Sequence, residues 1–287
     1  MSKPQISVVV PTCDRNDALA QCLDRLAPTV QTLAADDYEV IVTDDGGGDT
    51  AQTLISERYP WARWVAGPRR GPAANRNCGT RAARGEFLAF TDDDCLPTPD
   101  WLLTYADAIS DEFEVYEGVT DATGPLRAPF VIAPVNFEGG VLWSCNMMVS
   151  RAVFDALDGF DEGFPHAADE DTDFRERAKR AGHTLHFVPQ AVIYHPPVRR
   201  VWGRKSARLW QSQLRLAYKA DPMRPAFTRH EMVWAAVQTR GRQLWRAPWH
   251  LDKLLGFGAL LIELIWIARH TRSWDRKHRA SLNVDET

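Results

Sequence analysis

Three consecutive aspartates, Asp92-Asp93-Asp94, follow the apolar run Phe87-Leu88-Ala89-Phe90. In extended backbone, residues two apart point to the same side, so Asp92 and Asp94 would present a pair of carboxylates. Hard oxygen donors placed this way suit Mg2+ or Mn2+, which take a few carboxylates and complete their shells with phosphate oxygens and water. A plainer reading has the acids favouring the start of the next helix, where Thr98 caps, Pro99 occupies the first turn and Trp101-Leu102-Leu103 opens the apolar face. Three adjacent carboxylates repel one another unless a cation compensates, which tips the balance towards a metal.

A second acidic cluster, Asp169-Glu170-Asp171-Thr172-Asp173, opens a helix that reads through Phe174–Ala178 and stops at Gly182. Acids at a first turn and a glycine just past the end are ordinary helix punctuation. A carboxylate so placed is also a candidate general base for a hydroxyl. His195 closes the run Ala191-Val192-Ile193-Tyr194 and precedes Pro196-Pro197, which puts it at a strand end before a forced break.

The elements that must position these groups alternate. Ile6–Pro11 reads as a strand and Asp17–Leu33 as a helix; Tyr38–Thr43, Trp61–Ala66 and Glu86–Thr91 read as strands, with Thr50–Arg58 and Ala73–Arg84 as helices between them. Such alternation implies a parallel sheet covered by helices on both faces. Ligands in such sheets bind beyond the carboxyl ends of the strands. Those ends carry Pro11-Thr12-Cys13-Asp14, Asp44-Asp45-Gly46-Gly47-Gly48-Asp49 and Asp92-Asp93-Asp94, so three strands deliver polar groups to one rim.

Several chemistries are disfavoured. No G-x-G-x-x-G follows the first strand, and a Walker A loop, a G-x-S-x-G elbow and H-E-x-x-H are all missing, which argues against dinucleotide, P-loop and triad chemistry. The five cysteines (13, 22, 78, 95 and 145) form no C-x-x-C pair and no disulfide framework, which fits a reducing cytoplasm. The N-terminus moves directly into a strand-like run without the apolar segment of a secretory signal, so a cytoplasmic location is expected.

The ordered set ISVVVPTCD (6–14), VIVTDDGGGD (40–49), GPAANRNCGTRAARG (71–85) followed by EFLAFTDDD, and GFDEGFPHAADEDTDFRERAKRAG (159–182) resembles a family 2 glycosyltransferase over roughly residues 4–197. The resemblance implies a GT-A nucleotide-diphospho-sugar transferase fold, a mostly parallel sheet flanked by helices, with a C-terminal helical appendage. It implies inverting transfer from a nucleotide sugar to a glycan or lipid-linked acceptor, with Mn2+ or Mg2+. It divides the chain into a catalytic domain, 1–197, with a donor half to about 100 and an acceptor half beyond, and a region 198–287. Donor contacts fall to Pro11, Thr12, Asp44, Asp45, Arg76, Asp92 and Asp93, with Thr12 and one of Asp44 or Asp45 at the base, most often uracil. Asp92, Asp94 and His195 become metal ligands. Asp171 becomes the base and Glu170 orients the acceptor, with Trp143 and Asp173 on the acceptor side and Asp173 the fallback base. The chain departs from the family at Gly46-Gly47, where Gly-Ser is usual, and at Asn75, where Ala is common. The other readings are a non-catalytic sugar-nucleotide binder of the same fold, and a sugar nucleotidyltransferase, whose Gly-rich phosphate loop is missing.

The net charge of −4 conceals two unlike halves. Residues 1–195 hold 16 Lys/Arg against 31 Asp/Glu, and residues 196–287 hold 18 against 7, giving −15 and +11. Arg199, Arg200, Arg204, Lys205, Arg208 and Arg215 interleave with Trp202, Leu209, Trp210, Leu214 and Leu216, the pattern of a basic amphipathic helix. Leu254–Ala268 is almost wholly apolar but short for a membrane span, and Glu263 interrupts it. Docking at an anionic membrane surface, peripheral on the cytoplasmic face, is the expectation. The alternative is a helical hairpin packed on the catalytic domain or in a homodimer. No nucleic-acid-binding motif is present, and nucleic acid is not an expected partner.

Overall fold

The computed structural model describes residues 3–48, 50–124, 131–199, 203–246 and 251–282. Asp49, Arg200, Trp202 and the side chains of Arg199 and Lys205 lie outside it. In chain order the elements are β1 (Ile6–Thr12), α1 (Asn16–Leu26), β2 (Tyr38–Asp44), α2 (Gln52–Arg58), β3 (Arg63–Ala66), α3 (Pro72–Ala82), β4 (Phe87–Phe90), β5 (Leu96–Pro97), α4 (Trp101–Ala108), β6 (Val115–Ala122), β7 (Val131–Ile132), β8 (Met147–Ser150), α5 (Arg151–Ala156), α6 (Glu170–Arg180), β9 (Leu185–His195), β10 (Val198–Arg199), α7 (Arg204–Ala220), α8 (Arg229–Arg246) and α9 (Leu251–Ser281).

The chain divides into two compact units. The first holds residues 1–124, 133–162 and 170–196; the second holds 125–132, 163–169 and 197–287. The first unit is built on one eight-stranded sheet of order β3-β2-β1-β4-β8-β6-β9-β5. Strands β3, β2, β1 and β4 are mutually parallel, β8 runs antiparallel to both β4 and β6, and β6 and β9 are parallel. All seven residues of β1 are buried, because a parallel strand covered on both faces has no polar side to show. Its side chains alternate between two cores. Ile6, Val8 and Val10 pack with Leu19, Leu23 and Leu26 of α1, whereas Val9 joins Phe90, Phe154, Phe160 and Phe174 on the opposite face.

Two local readings need correction. Helix α1 stops at Leu26 rather than Leu33, because Ala27 is extended (ψ 141°) before Pro28, where the proline ring disfavours helical backbone. Thr98 does not cap α4: its hydroxyl donates to the Val192 carbonyl at 3.1 Å and ties the helix entry to β9. The β6–β9 register breaks at Gly118, where a Cβ would lie 2.1 Å from the Ala191 carbonyl, so only glycine fits. Asn146 bridges this point, donating to Val119 and Ala191 and accepting from Trp101 Nε1 and Tyr105 OH.

The second unit holds the short β7–β10 ladder and the helices α7, α8 and α9. Ala207, Trp210, Leu214, Tyr218, Met232, Ala236, Ile267 and Trp274 form its core. The stretch read as Leu254–Ala268 is part of a single helix of 31 residues.

Candidate active site

The carboxyl ends of β1, β2 and β4 meet at one rim, as parallel pairing requires. Side chains stitch these ends together. Asn75, on α3, donates to the Thr12 carbonyl at 3.2 Å and the Thr43 carbonyl at 2.9 Å, joining β1 to β2. Asp44 is 4% exposed; one oxygen accepts from Gly46 N–H and the other from Ala51 N–H and Trp64 Nε1. Asp45, less buried, accepts from the Arg69 and Gly71 N–H groups and holds the loop that enters α3. Both aspartates are therefore committed to shaping the rim, and Asp45 is the more open of the pair.

The triplet converges by a turn. Strand β4 ends at Phe90, and Cys95 N–H donates to the Asp92 carbonyl at 3.1 Å, closing a four-residue turn. Extended backbone is thus not what brings Asp92 and Asp94 together. The turn also carries Cys95 to the same side, and one donor atom each from Asp92, Asp94, Cys95 and His195 lie within 4.8 Å of one another. His195 Nδ1 sits 2.8 Å from the Pro196 carbonyl, which turns Nε2 towards the acids, 3.5 Å from Asp94 Oδ1.

Two arginines supply cations to the triplet, so its charge is compensated within the chain itself. Arg15 reaches Asp93 at 2.9 Å and Asp94 at 2.5 Å, and Arg76 reaches Asp92 at 2.6 Å. Asp93 also accepts from the buried Thr12 hydroxyl at 2.7 Å. Burial pushes the Asp93 carboxyl up to about 6, against the opposing pull of Arg15 and Thr12.

Arg76 links the two acidic clusters. Its guanidinium, 4% exposed, forks between Asp92 and Glu170 at 2.6 and 2.9 Å. Burial alone would disfavour its charge, but Asp92 and Glu170 outweigh this and hold it protonated. Glu170 opens α6, and its second oxygen, Oε2, is buried without a hydrogen-bond partner. Burial raises its carboxyl to about 7, with Arg76 opposing and Asp171 adding to the shift. Asp171 is partly exposed and accepts from Thr172 N–H and Ser144 N–H. Its pKa is also raised by burial.

The remaining expected residues divide by environment. Asp173 is buried in an ion pair with Arg177 at 2.8 Å, and Arg177 also donates to the Leu157 and Gly159 carbonyls, so this acid anchors α6 to the preceding loop. Trp143 is partly buried against the core that contains Cys145 and Ala191. Pro11 is buried within β1. Arg15, Asn75 and Cys95 were missed by the sequence reading. Adjacency to the triplet was a signal for Cys95, and departure from the family pattern was one for Asn75; Arg15 had none.

A family profile described as Glycosyl transferase family 2 matches residues 7–130. Glycosyltransferase AglE of Haloferax volcanii is 27% identical over 212 residues, covering 67% of each chain. Two further curated relatives are matched over 51% and 15% of their own lengths. Among solved structures, S. aureus TarS 1–349 in complex with UDP aligns with a TM-score of 0.58 at 17% identity, covering 96% of this chain and 88% of that one. A mannosyltransferase from Pyrobaculum calidifontis in complex with GDP-Man and Mn2+ aligns with a TM-score of 0.53 at 16% identity, covering 100% of this chain and 77% of that one. The likeness to both is one of fold, and the architecture is GT-A-like.

Proposed function

We propose that this chain, whose residues 7–130 match the Glycosyl transferase family 2 profile, moves a sugar from a nucleotide-diphosphate donor to a hydroxyl by a single inverting displacement. The observation that carries this reading is the Arg76 fork, which joins the acids of the strand-end turn to Glu170-Asp171 at the start of α6. A binding protein has no need of a half-open carboxylate beside a second, buried one.

In this reading Asp171 takes the proton of the acceptor hydroxyl as that oxygen attacks the anomeric carbon. Its Oδ2 is held by Ser144 N–H, and burial raises its pKa above the usual carboxylate range, which makes it a stronger proton acceptor than a solvated aspartate. Glu170 orients the acceptor, and Arg76 fixes Glu170 relative to the turn. Thr12 and Asp45 border the base, and the UDP complex of the TarS fold neighbour favours uracil. The acceptor is a glycan or a lipid-linked sugar.

Asp92, Asp94 and His195 fit a divalent cation. Carboxylate and imidazole donors converge there within 4.8 Å of one another, and with Nδ1 against the Pro196 carbonyl it is Nε2 that faces the acids. A bound Mn2+ or Mg2+ would offset charge on the departing diphosphate.

Thermal shift over a panel of nucleotide sugars, with and without Mn2+, tests the reading. Mass action predicts a rise in melting temperature for the true donor that depends on Mn2+ and disappears in Asp94→Ala and His195→Ala. No response to any nucleotide sugar would overturn the donor assignment. A response that survives both substitutions would displace the metal site.

A further inference from the structure

Helix α9 of the second unit carries a surface that the transfer chemistry does not use. Leu254, Leu255, Phe257, Leu261, Ile262 and Ile265 are each 46–67% exposed. Single exposed apolar residues are ordinary, but six on one stretch of one helix form a contiguous patch of the kind that marks an interaction site.

In sequence, Glu263 interrupts this run and counts against a membrane span. For a docking face, what matters is the side of the helix on which it lies. Glu263 is 0% exposed and turned into the bundle, where its Oε1 accepts from Trp210 Nε1 at 2.8 Å and pairs with Arg240 at 3.3 Å. At about 100° per residue, Leu254, Leu261 and Ile265 fall in one sector of about 80°, and Glu263 lies on the opposite side of the helix. Arg269, Arg272 and Arg276 fall in that same sector further along and are exposed, with Lys277 exposed beside them. One helix face is therefore apolar in its first half and cationic in its second, with no acid on it among the described residues.

We infer that this face docks on an anionic lipid bilayer, the Leu254–Ile265 end entering the acyl boundary and Arg269–Lys277 meeting the headgroup phosphates. Charge decides the occupant. Residues 196–287 carry +11, so a second copy brought face to face would oppose like charges, whereas anionic lipid complements them. The inference does not rest on the glycosyl-transfer reading.

The test is flotation of the full chain on neutral phosphatidylcholine vesicles and on vesicles containing phosphatidylglycerol, at low and high salt. Two variants accompany it, Leu261→Glu with Ile265→Glu, and Arg269→Glu with Arg272→Glu and Arg276→Glu. All five positions are exposed, so both variants should keep the wild-type melting temperature and its response to nucleotide sugars. The expected result is strong binding to the anionic vesicles, weakened at least tenfold by salt, weak binding to the neutral ones, and loss of binding in both variants. Failure of the wild type to float, equal flotation on neutral vesicles, or binding unchanged by both variants would each overturn the inference. So would a homodimer by light scattering that the Leu261→Glu, Ile265→Glu chain fails to form, because the face would then be a subunit interface.

Discussion

Glu170 in the sheet unit and Glu263 in the helical unit look alike taken singly. Each is a buried glutamate with one oxygen paired to a buried arginine and the other without a hydrogen-bond partner. Their company differs. Arg76 passes from Glu170 to Asp92, and Asp171 stands next in the chain, so several negative charges crowd one cation. The contacts of Glu263 are Trp210 and Arg240, and Arg240 goes on to a serine hydroxyl at 2.7 Å. A buried acid is weak evidence of chemistry, since ion pairs inside helical bundles produce it too. Convergence of like charges costs stability, and proteins retain it where a reaction requires it.

The sharpest way to break this comparison is Asp171→Asn. General-base catalysis is typically worth about 10²–10⁴-fold, so transfer should fall by that factor while the donor-induced thermal shift is kept. Transfer equal to wild type on every acceptor tried would remove the base assignment. Glu263→Ala should show the opposite signature. It removes the carboxylate that faces Arg240 in the bundle, and breaking a buried pair from one side typically costs about 3–5 kcal/mol. Denaturation should record that loss while kcat of the folded fraction stays at the wild-type value. A fall in kcat as large as that of Asp171→Asn would make the two acidic sites functionally alike and defeat the distinction.

The two regions also differed in how far sequence could reach them. Alternating elements placed β1, β2 and β4 and delivered Thr12, Asp44 and Asp92 to one rim, because parallel pairing leaves little freedom once the strands are known. Period and composition do not encode side-chain partners across long sequence separations. Arg15 compensates Asp94 across 79 residues, and Arg76 forks to Glu170 across 94. The turn at Asp92–Cys95 escaped for a different reason: an extended reading gave the right pairing of Asp92 with Asp94 by the wrong geometry, and so left out Cys95. In the helical unit, Glu263 read as an obstacle in a linear apolar run and proved to face the interior. Periodicity contains that outcome, but run length conceals it.

Asn75→Ala sharpens the picture at lower amplitude. The substitution removes the stitches from α3 to the ends of β1 and β2 and leaves two buried carbonyls with fewer donors. The expected loss is about 1–2 kcal/mol of stability. If the stitch also holds the donor rim, the apparent affinity for the nucleotide sugar should weaken along with it. Lost stability with unchanged affinity would make Asn75 a brace of the sheet alone.

The smallest effect lies in the shape of a pH profile. Glu170 is raised from 4.5 to about 7, chiefly by burial, so the folded state holds its proton more tightly than the unfolded chain does. The sign follows from linkage: stability conferred by this group is greatest below pH 4.5 and declines as pH rises through about 7. Transfer moves the other way, because the acceptor-side carboxylates act when ionised, so the acid limb of kcat/KM should rise towards neutrality. Glu170→Gln removes the titration and one of the like charges crowding Asp171. The melting temperature should then depend less steeply on pH between 4.5 and 7, and the acid limb should shift to lower pH, because the remaining aspartate ionises more readily. A profile identical to wild type would mean that Glu170 and Asp171 titrate independently, and the crowding that separates Glu170 from Glu263 would have no consequence in solution.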